Sequence, residues 1–310
     1  MNHDLVIIGC GFAGLSAALQ AGRLGLATLV LDPIGMGGQI LNTDRIENYP
    51  GFPDGISGMD LVTAAEQQAT SAGVSYGFGT VTGLEVADGF ITVLADGESH
   101  TTRSVILASG GQRRALGVAD EAKFEGRGVS HCATCDGPMY ADQDVAVIGG
   151  GDSALDEALY LTSICRSVAL VCRDTKLSAL KVLVDRAAES SKLDVLLNTR
   201  LESLGGAAVL ASIGVADTRS GAERRLDVTG VFPCIGTAPA TEAFAKSVPL
   251  DGGGHVVVDI DMATEVPGVF AAGACRWKSA GQLASAAGDG ITAALSAYHW
   301  LDSRQQGSRG

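Results

Sequence analysis

Short runs of consecutive apolar residues, several of them followed by glycine, recur along this chain. The runs at 5–8 and 105–108 are rich in β-branched side chains and lack polar alternation. This pattern is typical of strands that are buried on both faces of a parallel sheet. Shorter runs with frequent turn residues over 74–103 instead predict an antiparallel meander. A small and apolar stretch at 281–301 predicts a closing helix, and the polar residues 303–310 predict an irregular tail.

The first apolar run leads into a glycine-rich turn with the spacing of a dinucleotide-binding site. Gly9, Gly11 and Gly14 stand between this run and an Ala/Leu-rich helical pattern. Glycines at these positions let the backbone approach a pyrophosphate, which binds at the positive N-terminus of the helix. A second strand over 29–31 ends at Asp32, about where a carboxylate meets the ribose hydroxyls. Because strand, turn, helix and acid are in register, the sequence predicts a bound dinucleotide.

A closely spaced cysteine pair is the strongest chemical signal in the chain. Cys132 and Cys135 are separated by two residues, and Asp136 follows them directly. Such a pair can close a disulfide and open it again by thiol–disulfide exchange, while the neighbouring carboxylate carries the proton. A zinc site is the alternative, but the pair and His131 supply three ligands where a structural site needs four. The other five cysteines, at 10, 165, 172, 234 and 275, are scattered singly. The pattern therefore favours redox chemistry and no metal.

The strand–turn–helix arrangement returns 140 residues after its first occurrence. A strand pattern at 145–148 runs into Gly149, Gly150 and Gly151, followed by a helical pattern and a strand at 168–171. Self-similarity of this kind indicates a second domain of the same fold. Two dinucleotide folds that flank one cysteine pair suggest an electron relay between two cofactors. The alternative is that the second domain is a structural duplicate that binds nothing.

Composition and charge restrict the class of protein. With 310 residues, 46% of them hydrophobic, and 42 glycines, the chain suits a two-domain nucleotide-binding α/β protein. The formal net charge of −13 argues against nucleic acid or an anionic membrane as partner. No apolar run approaches the roughly 20 residues that span a bilayer, and no signal peptide precedes the first strand. Seven cysteines in such a chain suit a reducing compartment, so we expect a cytoplasmic protein.

Together these motifs resemble those of the low-molecular-weight bacterial thioredoxin reductases, class II flavoproteins of the pyridine nucleotide-disulfide oxidoreductases. The matching segments, spread over nearly the full chain, are 9–14, 37–39, 47–52, 108–111, 132–137, 149–154 and 268–273, with Gln282. The sequences CATCDG at 132–137 and ENYPGF at 47–52 are specific to that group. The resemblance implies an α/β protein of two Rossmann-like three-layer domains, the second inserted into the first. Residues 1–115 and 245–310 would form an FAD-binding domain, and 116–244 an NAD(P)-binding-like domain carrying the cysteine pair.

The resemblance also implies roles at the redox centre. Cys135 would lie against the flavin, Cys132 would attack the substrate disulfide, and Asp136 would be the acid and base. Asn48 would lie near the flavin, and the last helix, starting at Gln282, would point its positive dipole at the flavin N1 and O2 edge. The FAD-binding residues implied in this way are Gly9, Gly11, Phe12, Ala13, Gly14, Asp32, Gly38, Gln39, Asn48, Gly110, Gly273, Gln282 and Leu283.

The nicotinamide-nucleotide half of the resemblance is less complete. Its candidate residues are Gly149, Gly151, Asp152, Ser153, Arg173 and Asp174. The family carries a His-Arg-Arg-x-x-x-Arg run in this domain, whose arginines grip the 2′-phosphate of NADPH. The matching run here is 172–178, where only Arg173 remains and Asp174 and Ser178 stand in place of the other two arginines. Asp174 would repel a 2′-phosphate, so we expect weak or absent use of NADPH. Two flavin contacts depart as well, because Ala274 and Gly281 stand where the family has aspartate and arginine.

Two interpretations of this second site are open. Asp174 can accept the free 2′-hydroxyl of NADH, as a carboxylate after the second strand often does. Alternatively the site is empty, and Gly149, Gly150 and Gly151 serve only the close packing of strand and helix. We favour the empty site, because Asp174 lies a residue or two beyond the usual position of the acid.

The sequence as a whole predicts an FAD-dependent thiol–disulfide oxidoreductase that works through Cys132 and Cys135. Its substrate would be a thioredoxin-like protein or a small dithiol or disulfide, and a ferredoxin-like protein is one candidate electron donor. The alternatives are an ordinary NAD(P)H-dependent thioredoxin reductase, a dithiol oxidase that passes electrons to oxygen, and a non-catalytic flavoprotein subunit. The complete set of Cys132, Cys135 and Asp136 argues against the last of these. The resemblance further implies a homodimer.

Overall fold

Strands and helices alternate along both halves of the chain in the computed structural model, which describes residues 3–87 and 89–307, with the backbone alone at 42 and 305–307. The strands are β1 (Leu5–Ile8), β2 (Thr28–Asp32), β3 (Ser75–Phe78), β4 (Val81–Ala87), β5 (Phe90–Ala95), β6 (Glu98–Thr102), β7 (Ser104–Leu107), β8 (Gly111–Arg113), β9 (Asp144–Ile148), β10 (Ser167–Val171), β11 (Leu193–Leu196), β12 (Thr199–Gly205), β13 (Ser212–Asp217), β14 (Glu223–Leu226), β15 (Gly230–Pro233), β16 (Thr237–Pro239) and β17 (Val269–Ala271). The α-helices are α1 (Phe12–Arg23), α2 (Gly58–Ser71), α3 (Glu121–Phe124), α4 (Ala133–Asp136), α5 (Asp152–Thr162), α6 (Lys181–Glu189) and α7 (Leu283–Gly307), and 3₁₀ helices cover Gly38–Asn42, Gly137–Tyr140, Glu242–Phe244 and Gly273–Cys275. The strands predicted at 5–8, 29–31, 105–108, 145–148 and 168–171 are confirmed to within one residue at each end.

The chain divides into two units. The first joins Met1–Gln112 to Ala238–Gly310, and the second is Arg113–Thr237. The chain therefore crosses between them at 112/113 and 237/238, where sequence analysis placed the domain boundaries at 115/116 and 244/245. The second crossing comes earlier because Phe244 is buried in the core of the first unit. The Ser247 hydroxyl also donates to the Leu84 carbonyl oxygen of that unit.

A five-stranded parallel sheet organises the first unit. Its strand order is β17–β7–β1–β2–β3, with Leu5 opposite Thr28 on one side and Ser104 on the other. The sheet shares its core with α1, α7 and the antiparallel sheet β4–β5–β6. Helices α1 and α7 pack at close range, since a Cβ on Gly290 would lie 2.2 Å from the Ala13 carbonyl oxygen. Because α1 follows β1 directly, its N-terminus lies at the carboxyl edge of the sheet, where ligands of such folds bind.

The meander predicted over 74–103 is confirmed only in part. Strands β4, β5 and β6 are antiparallel as expected. Strand β3 instead joins the parallel sheet, where Ser75 pairs with Leu29 of β2. The reason is the intervening helix α2, because a strand–helix–strand connection returns the chain parallel to its first strand.

The second unit repeats this plan around four parallel strands in the order β11–β10–β9–β15. Helices α5 and α6 contribute Leu155 and Leu183 to one core cluster. The antiparallel sheet β12–β13–β14 contributes Ile213 and Val215 to a second. The strand order reverses beside β9, so the carboxyl end of β9, at Gly149, is the switch point at which open α/β sheets bind ligands.

Helix α7 extends beyond the helix that the sequence predicted. It runs from Leu283 to Gly307, so the irregular tail expected from residue 303 onward is wrong for 303–307, and 308–310 lie outside the described residues. The Arg304 guanidinium lies 4.3 Å from the centre of the Trp300 ring one turn earlier, a cation–π contact that supports the last turns. Although α7 is long, neither it nor any other described helix has the length and hydropathy needed to cross a bilayer.

Candidate active site

The cysteine pair lies at the start of α4 in the second unit. Cys132 precedes the helix and is joined to Cys135 in a disulfide, with the two Cα atoms 5.3 Å apart. The Cys135 backbone N–H donates to the Cys132 sulfur at 3.2 Å, and the Thr134 hydroxyl lies 3.3 Å from the same sulfur. Cys132 is half-buried and Cys135 is exposed. The residues predicted to form a redox pair are therefore in disulfide contact and accessible to a partner thiol.

Asp136 is held by the loop that carries the disulfide. Its Oδ2 accepts a 2.6 Å hydrogen bond from the hydroxyl of the buried Ser130. The Ser130 hydroxyl oxygen in turn accepts the Cys132 backbone N–H at 3.2 Å. The Asp136 backbone N–H donates to the Cys132 carbonyl oxygen at 3.0 Å. Sequence analysis missed Ser130, because a serine two residues before a cysteine is no signal without the folded loop.

The glycine-rich turn of the first unit has space for a pyrophosphate. A Cβ on Gly9, where φ is +102°, would lie 2.3 Å from a carbonyl oxygen, and one on Gly14 would lie 1.9 Å from another. Both positions therefore require glycine. A Cβ on Gly11 would meet nothing within 4 Å, and no side chain caps the N-terminus of α1 at Phe12 and Ala13. Uncapped backbone N–H groups beside open space at a helix N-terminus suit phosphate groups.

Asp32 lies at the end of β2, beside this turn. Its Oδ2 accepts the Cys10 N–H at 2.8 Å, and its Oδ1 accepts the N–H groups of Ile34 and Gly35, both at 2.9 Å. These three bonds fix the carboxylate in place. Since a carboxylate has about four acceptor positions, Oδ2 retains one for a ribose hydroxyl.

The remaining residues predicted for the first site fall into two groups. Gly38 lies against the turn, where its Cβ would be 3.2 Å from the Gly11 Cα, and the Gln39 side chain donates to the Gly111 carbonyl oxygen at 3.4 Å. Gly110, with φ of +66°, directly precedes that residue. In the second group, the Asn48 amide donates to Gln282 Oε1 at 3.1 Å, immediately before α7 begins at Leu283. The structure therefore brings the predicted residues of distant segments together within the first unit.

Comparison with known proteins establishes the family. The family described as pyridine nucleotide-disulphide oxidoreductase matches residues 3–290. The chain belongs to this family.

Individual relatives narrow the class within this oxidoreductase family. A thioredoxin reductase of Listeria innocua serovar 6a is 40% identical over 303 residues, 97% of this chain and 94% of the relative. The crystal structure of Lactococcus lactis thioredoxin reductase gives a TM-score of 0.94 at 35% identity, covering 97% of this chain and 99% of that one. A ferredoxin-flavin thioredoxin reductase from Clostridium acetobutylicum gives a TM-score of 0.53 at 27% identity, covering 97% and 98%. The protein is an FAD-dependent, thioredoxin reductase-like disulfide oxidoreductase with two Rossmann-like domains.

The oxidoreductase has a buried ion pair beside its first glycine turn that sequence analysis missed. Gly273 packs on α1, where its Cβ would lie 2.8 Å from the Ala13 Cβ. The Gly273 N–H donates to Oδ2 of the buried Asp289 at 3.2 Å, and Asp289 pairs with Arg276. A buried carboxylate thus lies next to Ala274, the position at which the family carries aspartate. The signal that could have revealed the pair is an aspartate within the small and apolar stretch 281–301.

The second glycine turn is more closely covered than the first. The backbone N–H and the hydroxyl of Ser178 both donate to the Gly150 carbonyl oxygen, at 2.8 and 3.2 Å. The Leu180 N–H donates to Asp152 Oδ1 at 2.7 Å. A Cβ on Gly151 would lie 3.7 Å from the Ser178 hydroxyl oxygen, whereas the corresponding Cβ in the first turn meets nothing within 4 Å. The segment after β10 therefore folds against the start of α5.

The charged residues predicted for this second site are exposed. Arg173 Nε lies 3.9 Å from Asp174 Oδ1, and their side chains are 81% and 68% exposed. Lys176 and Ser153 are exposed as well. Gly149 has a packing role, because its Cβ would lie 2.2 Å from a carbonyl oxygen at the end of β15. The arginine that matches the family thus has a carboxylate as its neighbour, with one lysine nearby in sequence.

A polar cluster lies at the carboxyl edge of the second sheet. The Cys234 thiol hydrogen-bonds to Glu157, and burial raises the pKa of Glu157 while this bond and the charges of Arg113 and His131 lower it. Burial also raises the pKa of Cys234, which disfavours its thiolate form. His131 Nε2 lies 3.0 Å from Glu125 Oε1. Glu157 Oε2 and His131 Nδ1 are buried without a hydrogen-bond partner among the described residues. These two buried atoms without partners suit a polar ligand.

Proposed function

We propose that the protein transfers electrons between FAD and a thioredoxin-like protein through Cys132 and Cys135, with weak or absent use of NADPH. The observation that supports the choice of donor is the pairing of Arg173 with Asp174 at 3.9 Å, where a 2′-phosphate would need free cations. The observation that supports the chemistry is the accessible Cys132–Cys135 disulfide in a thioredoxin reductase-like chain. In this proposal the first unit binds FAD and the second carries the redox pair.

The residues of the second unit supply the parts needed for disulfide exchange. With the pair reduced and Asp136 holding the proton that Cys132 has given up, the Cys132 thiolate attacks one sulfur of the substrate disulfide, and the other sulfur leaves as a thiolate that takes this proton from Asp136. Asp136 then accepts the Cys135 proton as Cys135 attacks Cys132 in the mixed disulfide, and it passes this proton to the second leaving thiolate. The substrate thereby gains two electrons and two protons, which the cysteine pair loses. FAD, when bound, supplies the two electrons that reopen the pair.

The argument against NADPH is electrostatic. A 2′-phosphate is nearly a dianion at neutral pH, and each charge-assisted hydrogen bond to it contributes about 1.5–3 kcal/mol. With Asp174 and Ser178 at two positions of the family's arginine motif, NADPH affinity is expected to fall by orders of magnitude, at about 1.4 kcal/mol per tenfold. The Ser178 hydroxyl is moreover bonded to the Gly150 carbonyl oxygen.

Two other donors are consistent with the same residues. The exposed Asp174 carboxylate favours NADH, whose free 2′-hydroxyl can donate to it. A small redox protein is the second, and one structural relative is a ferredoxin-flavin thioredoxin reductase by name. A dithiol oxidase that passes electrons to oxygen would use the same cysteine pair in the opposite direction.

Anaerobic mixing of the oxidised FAD-loaded protein with NADPH, NADH, reduced ferredoxin or dithiothreitol tests the proposal. Absorbance of the flavin reports reduction. We expect little bleaching by NADPH at micromolar concentration. Bleaching by NADH alone would support the Asp174 role, and bleaching by ferredoxin or dithiothreitol alone would support an empty nicotinamide site. Fast bleaching by micromolar NADPH would overturn the proposal and identify an ordinary thioredoxin reductase.

We extend the proposal to a homodimer in the cytoplasm. Ile291 and Leu295 are exposed on α7 one turn apart, which suits an apolar contact with a second copy. Cys10, Cys165, Cys172, Cys234 and Cys275 are free in the structure, as expected for a reducing compartment. Light scattering on the purified protein would test the dimer, and a monomer at micromolar concentration would contradict it.

A further inference from the structure

The hydroxyl group of Ser130 connects the redox loop to the carboxylate of Asp136. Its oxygen accepts the Cys132 N–H at 3.2 Å and lies 2.6 Å from Asp136 Oδ2. A second acceptor, the Cys132 carbonyl oxygen, lies 3.5 Å away at the limit of a hydrogen bond. A serine hydroxyl has one proton to donate, so only one of these two acceptors receives it at a time.

The choice of acceptor depends on whether Asp136 holds a proton. When Asp136 is a carboxylate, the Ser130 hydroxyl donates to Oδ2 at the shorter distance. When Oδ2 is protonated, the hydroxyl can rotate, accept from the acid and donate to the Cys132 carbonyl oxygen. Because of this rotation, neither the hydroxyl nor the acid is left without a hydrogen-bond partner in either protonation state. Ser130 is therefore suited to a carboxyl group that repeatedly gains and loses a proton.

We infer that Ser130 is a positioning residue for proton transfer by Asp136 during disulfide exchange. This inference rests on the acid and base role that the proposed function gives to Asp136. Ser130 holds Oδ2 in one place and stabilises both of its protonation states, and it touches no substrate atom itself.

The backbone of Ser130 is anchored independently of its hydroxyl. Its N–H donates to the Val231 carbonyl oxygen at 3.0 Å, and the Val231 N–H donates to the Gly128 carbonyl oxygen at 2.7 Å. Replacement by alanine therefore removes the hydroxyl without removing these strand contacts. The chain also contains a matched control. The Ser167 hydroxyl donates to Asp144 Oδ1 at 2.7 Å, which is the same kind of bond in the same unit but outside the redox loop.

The experiment measures single-turnover oxidation of the reduced, FAD-loaded enzyme by two disulfides. One is oxidised thioredoxin, whose leaving thiolate needs a proton. The other is dithiobis(nitrobenzoate), whose aromatic thiolate has a low pKa and leaves without one. The variants are Ser130→Ala, Ser130→Thr, Ser167→Ala and Asp136→Asn, each checked for FAD content and melting temperature.

We expect Ser130→Ala to lower the limiting rate with thioredoxin by about tenfold without changing the half-saturating concentration, less than the roughly 10²–10⁴ expected for Asp136→Asn. Ser130→Thr keeps a hydroxyl and is expected to restore the rate to within a few-fold, while Ser167→Ala leaves it unchanged. With dithiobis(nitrobenzoate) all four variants are expected to release the first aromatic thiolate at the wild-type rate, because that step needs no proton from Asp136.

Three results would overturn the inference. Equal slowing of Ser130→Ala with both disulfides would indicate a merely structural role, and so would failure of Ser130→Thr to restore the rate. Full activity of Ser130→Ala, together with slow turnover of Asp136→Asn, would show that Ser130 has no part in proton transfer. The proposed role of Asp136 would then still stand. Full activity of Asp136→Asn would instead remove the acid and base role from the proposed function, and the inference with it.

Discussion

Arg276 and Asp289 face each other in a two-bonded ion pair, with Nε to Oδ2 and Nη2 to Oδ1 both at 2.7 Å. Their side chains are 14% and 8% exposed. Through the Gly273 N–H, the pair also fixes the turn that packs on the start of α1. A buried pair of this kind is weak evidence for stability, because desolvation of both charges offsets their attraction. It lies instead beside the first glycine turn, where the proposed function places FAD, so we expect a role in holding FAD.

The first prediction concerns this pair. Arg276→Met leaves the Asp289 carboxylate buried and unpaired, which is expected to destabilise the protein by about 3–5 kcal/mol and to release FAD. Arg276→Met/Asp289→Asn removes both charges and keeps a Gly273 acceptor, so it is expected to recover much of the loss. The ratio of flavin to protein absorbance after dialysis and the melting temperature measure the two effects. Equal damage in the single and the double variant would show that the two charges are not coupled.

The second prediction assigns the two cysteines. If Cys135 is the flavin-side thiol, Cys132→Ser leaves a thiolate near the flavin and produces a long-wavelength charge-transfer band. Cys135→Ser is expected to show no such band, although it retains Cys132 for attack on a substrate. Absorbance spectra of the two purified variants make the comparison directly. Identical spectra would rule out the assignment.

The third prediction concerns the electron donor. Asp174→Arg/Ser178→Arg is expected to raise the rate of flavin reduction at micromolar NADPH by at least tenfold, because it adds two cations and removes one anion. Asp174→Asn is the control, since it removes the repulsion without adding an attraction and is expected to give a smaller gain. Stopped-flow mixing with NADPH measures both. If the double variant shows no gain, slow reduction by NADPH has a cause in the second unit other than Asp174 and Ser178.

The fourth prediction concerns acid stability. The hydrogen bond from Arg166 holds the pKa of Asp144 at about 2, below its ordinary value of 3.8, and Ser167 adds a further bond. A carboxyl group whose pKa is lower in the folded state stabilises the fold above its unfolded pKa, and this contribution is lost as pH falls toward the folded pKa. The melting temperatures of wild type and Asp144→Asn should therefore differ most above pH about 5 and converge toward pH about 2.

A matched exposed pair controls for general effects of acid. Asp185→Asn removes one end of the Lys181–Asp185 pair on α6, where both side chains are largely exposed. Exposed pairs contribute about 0–1 kcal/mol, so this variant should track wild type at every pH. A constant offset for Asp144→Asn across the pH range would contradict the linkage.

Sequence analysis succeeded where a short local pattern carries the information. Gly9, Gly11 and Gly14 have fixed spacing because the backbone must turn, pack and leave space within six residues. Cys132 and Cys135 likewise form a ring across one helical turn, so their spacing, together with too few nearby ligands for a zinc site, predicts the disulfide. Patterns of this length can be recognised in a sequence without knowledge of the rest of the fold.

Sequence analysis failed where the decisive partner is distant or the decisive contact is a packing contact. The role of Asp289 could not be predicted, because its partner Arg276 is thirteen positions away and pairs with it only in the folded chain. Phe244 belongs to the first unit because its ring is buried in that core, and no composition change marks the crossing at 237/238. Ser130 and Asp136 are six positions apart, and their bond depends on the folded loop that carries Cys132 between them.

The insertion of the second unit into the first dictates an order of events during synthesis. The second unit is one continuous segment, Arg113–Thr237, and can fold once that segment has left the ribosome. The first unit must wait, because β17 and α7 are made last and α7 covers the face of α1 that carries Ala13. The nascent chain therefore holds an unfinished N-terminal half for the time needed to make about 200 further residues, some 10–40 s at typical rates. Capture of FAD becomes possible only once β17 and α7 have been made, and cells starved of flavin should accumulate a protein whose redox unit is folded while its flavin unit remains open to proteolysis.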